Sequence, residues 1–112
     1  MPDRNAPGIR SQLTRAVMSI AANVAEGASR DTRTDFARFI SIAIASASEV
    51  EHHLTVCVDL AVLDPVIASL LIDKTVEVRR MLFGLRRVLI MRVSEEHALY
   101  DAFSPGTSKL VH

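Results

Sequence analysis

Apolar residues return every third or fourth position over three long stretches of the chain, the period of a helix and not the alternation of a strand. In the first stretch, from about Gly8 to Ala25, Ile9, Leu13, Ala16, Val17, Ile20 and Val24 fall on one face. The second starts after Asp31-Thr32 and runs to about Val62, with Phe36, Phe39, Ile40, Ala43, Ala47, Val50, Leu54, Cys57, Val58 and Ala61 in helical register. Thr32 and Asp35 have the three-residue spacing of a capping box, which satisfies amides that a helix start leaves unbonded. Asp64-Pro65 opens the third stretch: aspartate caps, and proline has no amide hydrogen to lose at the first helical position. Ile67, Leu70, Leu71, Val78, Met81, Leu82, Leu85, Val88 and Leu89 carry that pattern to about Arg92. The expected fold is all-α, an up-down antiparallel bundle with Ile20, Val24, Phe39, Ala43, Leu54, Leu82 and Leu85 in its core.

After Arg92 the pattern weakens. Ser94-Glu95-Glu96 reads as the cap of a separate short helix through Phe103, and Ser104-Pro105-Gly106-Thr107 is a cluster of helix breakers. The chain thus divides into a helical bundle domain over residues 1–93 and a C-terminal tail over residues 94–112, a short helix followed by a flexible end.

The first helix carries a second stripe about a third of a turn from its apolar face: Gln12, Arg15, Ser19, Asn23 and Glu26. A solvated helix face usually mixes Lys and Glu. Here amide and hydroxyl groups lie between an Arg and a Glu, the make-up of a hydrogen-bonded seam. Gly27 then reads as a C-cap, the residue best able to take the left-handed conformation that stops a helix.

The run Arg15-x-x-x-Ser19-Ile20-x-x-Asn23-Val24-Ala25-Glu26-Gly27 resembles the signature of the 23S rRNA intervening-sequence proteins, a family of small bacterial four-helix bundles. The resemblance continues through Phe36-x-x-Phe39-x-x-Ile42-Ala43-x-x-Ser46-x-x-Glu49 and more loosely to Leu89. The accessory variability proteins of diversity-generating retroelements are similar. The resemblance implies a bundle of the four-helix type, a ring-like homo-oligomer of five copies, and no established biochemical role. It also implies a helix ahead of a loop that ends in proline. Met1-Pro2 stands where that loop would end, so the family's first helix reads as missing. Three arrangements fit: the tail replaces it, a neighbouring subunit covers the gap, or the chain starts earlier. A three-helix remnant with one apolar groove uncovered would tend to associate.

Composition agrees with close helix packing. Of 112 residues 49% are hydrophobic but only 4% aromatic, which leaves a core of Ala, Val, Ile and Leu. Thirteen basic and thirteen acidic residues balance, without the strong positive charge that marks sequence-independent nucleic-acid binding. Cys57 is the single cysteine and reads as a buried thiol in a reducing compartment. No signal peptide and no apolar run long enough for a membrane are visible, so the expected location is the cytoplasm.

Few residues suggest chemistry. Glu49-x-x-His52 has the spacing of di-iron helices, but no second Glu-x-x-His answers it, and His52 and His53 read as surface residues. No nucleophile has a base beside it and no glycine-rich phosphate loop is present. No catalytic residue, metal, cofactor or small-molecule substrate is therefore expected. Arg15, Ser19, Asn23, Glu26 and Glu49 are the candidates for a shared site, with two readings. One is a buried network fixing helix register, Glu49 answering Arg15 or Asn23. The other is a pocket for a ligand or partner. Arg79, Arg80, Arg86 and Arg87, two pairs seven apart, form a stripe on the third helix that Lys74 and Arg92 extend. It is either a solvated face matched to the helix dipole or, repeated around an oligomer, a grip on RNA or DNA. The leading expectation is a non-enzymatic, self-assembling scaffold. The alternative is an RNA- or DNA-binding accessory protein.

Overall fold

Thr32 and Asp64 divide the chain into its helices, as their capping chemistry requires. The computed structural model describes residues 8–103. It contains α1 (Ile9–Ala28), α2 (Arg33–Asp59) and α3 (Pro65–Phe103). Thr32 Oγ1 accepts the Asp35 amide at 3.1 Å, and Asp64 Oδ1 accepts the Val66 amide at 2.7 Å with Pro65 at the first helical position. No strand occurs among the described residues.

α2 ends at Asp59, three residues before the expected stop. The Val62 amide bonds to Cys57 O and the Ala61 amide to Val58 O, both at 2.9 Å. This double closure puts Ala61 in the left-handed region, φ 59°, a place usually taken by glycine. Val62 then packs on the Ile9–Cys57 cluster, so the apolar contact that accompanies this motif is present.

α2 is the central helix. It buries Ile40, Ala43, Ile44, Ser46, Ala47, Val50, Leu54 and Cys57, whereas α1 buries only Ile9, Ala16 and Gly27, and α3 only Ala68, Leu82 and Leu89. Ser19 meets Ser46, and Ile9 packs near Cys57, so α1 and α2 are antiparallel. Arg33 meets Glu96, Ser41 meets Arg86 and Glu51 meets Arg79, so α2 and α3 are antiparallel as well. No Cα of α1 comes within 8 Å of one of α3. The described chain is a rod of 69 × 22 × 21 Å.

Of the expected core, Ala43, Leu54 and Leu82 are buried, and Ile20, Val24 and Leu85 are half-buried against the core clusters. Phe39 departs from expectation. It is half-buried, and the guanidinium groups of Arg30 and Arg38 lie 4.9 and 4.6 Å from its ring centre. These cations use the electron-rich ring face at the rim of the bundle.

Two further expectations are corrected. Gly27 is not the cap of α1: the helix runs through Ala28, and Ser29 caps it with φ −90°. Glycine is needed instead because α2 presses on it. A Cβ at this position would lie 2.8 Å from Phe36 Cδ1 and 2.9 Å from Phe39 Cβ. Nor does Ser94-Glu95-Glu96 begin a new helix. α3 passes unbroken through residues 93 and 94 to Phe103, 39 residues in all, and Glu96 reaches back to Arg33. The expected breaker cluster and flexible end lie outside the described residues.

Candidate interaction surfaces

Because α1 and α3 both pack on α2 and not on each other, the molecule has two unlike faces along α1. On one side is a groove between α1 and α3, about 260 Å³ in volume. Leu13, Val17 and Ile20 form one wall, Val50 and Leu54 the floor, and Leu71, Thr75 and Val78 the other wall. Lys74 is the only charged lining residue. Val17, Leu71 and Val78 are exposed, and Met81 and Val88 extend the apolar surface along α3. The apolar stripe read from the sequence thus faces the core along one edge and water along the other.

On the opposite flank of α1 lies the polar seam. Ser19 and Ser46 hydroxyls hydrogen-bond at 2.8 Å, and Asn23 Nδ2 donates to Ser19 Oγ at 3.0 Å and to Ser19 O at 2.8 Å. Ser46, buried, is the α2 partner of this seam, and Glu49, expected to answer Arg15 or Asn23, bonds to neither. Arg15 and Glu49 instead line an open cleft with Gln12, Ala16, Ser19 and His53, and among the described residues neither makes a hydrogen bond or ion pair. Glu26 pairs with Arg30 one turn on, an exposed i,i+4 pair worth little to stability. The five seam residues are therefore distributed: Ser19 and Asn23 in a bonded core, Arg15 and Glu49 in the cleft, Glu26 at the rim. His52 is exposed and His53 half-buried, their rings 5.8 Å apart. The pairing of Ser19 with Ser46 was not found from sequence. Its signal was the serine at position 46 among alanines, on the buried face of α2.

The arginine stripe divides in the same way. Arg79 pairs with Glu51 of α2, and both side chains are about 70% covered (26% and 32% exposed). Arg86 donates to Ser41 Oγ at 3.2 Å and lies 4.9 Å from the Phe83 ring centre. Arg80 and Arg87 are exposed, with no ion pair or hydrogen bond among the described residues. One residue turns a helix by about 100°, so one arginine of each pair binds α2 and its neighbour faces water.

Among the described residues no group of three or more His, Cys, Asp or Glu is placed to hold a metal ion, and no helix is long and apolar enough to cross a membrane. The profile of the 23S rRNA-intervening sequence proteins matches residues 1–84. The chain belongs to this family. The matched segment takes in α1, α2 and the first half of α3, and so both faces of α1. No curated protein and no solved structure matches the chain.

Proposed function

We propose that this family member is a non-enzymatic, cytoplasmic, self-assembling helical scaffold. The observation that carries the reading is the α1–α3 groove: an apolar channel of about 260 Å³ whose lining residues Val17, Leu71 and Val78 are exposed. Exposed apolar surface costs roughly 25 cal/mol per Å², and a helix laid in this channel would complete packing of the four-helix type. A second copy supplies such a helix, with five copies the number implied by the resemblance stated above. Light scattering at micromolar concentration is expected to return a multiple of the 12.3 kDa chain mass, and Val17→Glu, which charges one groove wall, is expected to lower it. A parent that scatters as a single chain would overturn the proposal.

A second reading, nucleic-acid binding, is favoured by one feature, the unpaired Arg80 and Arg87 on the outer face of α3. The resemblance to retroelement accessory proteins points the same way, although those relatives look more basic than this neutral chain, which counts against a direct carry-over. Contacts to phosphate release counterions, so the logarithm of the affinity for a labelled single-stranded RNA should fall linearly with log salt, with a slope of about 0.7 per contact. Removal of both arginines in Arg80→Ala/Arg87→Ala is then expected to reduce that slope. An unchanged slope and affinity would eliminate this face.

A further inference from the structure

The two ends of the rod differ in a way that bears on how copies would join. Glu96 stands level with Arg33, the first residue of α2, so residues 97–103 of α3 project past that end. Tyr100 and Phe103 continue the side of α3 that packs on α2 higher up, with Leu99 at its edge, yet here they are 69%, 80% and 58% exposed. Helical spacing sets this side: Leu82, Leu89, Glu96 and Phe103 recur at sevens, and Tyr100 is five full turns from Leu82. The core-facing stripe runs off the end of its support.

Charge is segregated along the same helix. From Lys74 to Arg92 the only acid is Glu77, whereas residues 94–103 hold Glu95, Glu96 and Asp101 and no Lys or Arg. Asp101 lies in the last turn, where the helix dipole disfavours an anion, and it has no cation partner among the described residues. The groove presents the complement: apolar walls and floor, and Lys74 as its one charged lining residue.

The overhang cannot reach the groove of its own chain. At about 1.5 Å of rise per residue, Asp101 stands roughly 40 Å along α3 from Lys74. We propose that the projecting end of α3 in one copy seats in the α1–α3 groove of the next, Leu99 and Phe103 against Leu13, Val17, Leu71 and Val78, with Asp101 meeting Lys74. The contact joins unlike surfaces at opposite ends of the subunit, so it is head-to-tail and closes a ring or extends a filament. This rests on the self-assembly proposed above and names the segment that fills the groove.

The test uses the full chain and reads mass by light scattering across a dilution series. Leu99→Asp/Phe103→Asp places charge in an apolar channel and is expected to weaken association by about tenfold or more, while circular dichroism of the subunit stays that of the parent. Lys74→Asp and Asp101→Lys are each expected to weaken association, and the chain carrying both changes to recover it. Recovery in the double variant supports the specific pairing. If the parent associates but the overhang variant associates equally well, or the charge exchange gives no recovery, the inference fails while self-assembly stands. If the parent is a single chain, both fail.

Discussion

Leu82→Ala is expected to lower the free energy of unfolding by about 2–5 kcal/mol. Leu82 is 6% exposed and packs with Ile40, Ala43, Ile44 and Leu89 where α2 and α3 meet. Truncation removes buried methyl groups and leaves a cavity that two rigid helices cannot close, so the transfer and cavity terms add. Met81→Ala is the comparison. It is the neighbouring residue, 70% exposed, and on the subunit alone its change should stay within about 0.5 kcal/mol. Denaturant unfolding at one fixed chain concentration checks both, because association would otherwise add to apparent stability. A Leu82→Ala loss no larger than that of Met81→Ala would remove Leu82 from the core.

Gly27→Ala is expected to destabilise by about 1–3 kcal/mol, although alanine is the better helix former by about 1 kcal/mol. The added Cβ would meet Phe39 Cβ at 2.9 Å. That atom is tied directly to the α2 backbone, so the helices must move apart and loosen the contacts beside them. Gly84 provides the opposite case. A Cβ there meets nothing within 4 Å, so Gly84→Ala is expected to gain about 0.5–1 kcal/mol from propensity alone. Opposite signs at two helical glycines would separate close approach from conformational freedom. A stabilising Gly27→Ala would show that α1 and α2 are not held together at this point.

The surfaces carry the functional reading because the helices pair unequally. α2 is covered by both neighbours, whereas α1 and α3 keep surface uncovered. On α1 this is the apolar groove on one flank and the polar cleft of Arg15, Glu49 and His53 on the other. On α3 it is the apolar wall and the outward Arg80 and Arg87. The bonded groups Ser19 and Asn23, half-buried, and Ser46, buried, fix the register of α1 on α2.

The sequence by itself determined that the protein is helical, where two of its helices begin, and which stripes of α1 are apolar and polar. These signals are local. Periodicity needs only a few turns of chain, and Thr32 and Asp64-Pro65 act on amides within three residues. The family signature from Arg15 to Gly27 was legible for the same reason. Only the tertiary structure decided what depends on residues far apart in the chain. It turned Gly27 from an expected cap into a contact point, because Phe36 and Phe39 approach it from α2. It paired Ser46 with Ser19 and left Glu49, expected to answer Arg15 or Asn23, in an open cleft, and it separated Arg79 and Arg86, bound to α2, from Arg80 and Arg87 in water. A helix places adjacent residues about 100° apart, so the roll of α3 against α2 assigns each arginine its surroundings. Residues within one helix do not fix that roll; packing of Leu82 and Leu89 against Ile40 and Ile44 of α2 does.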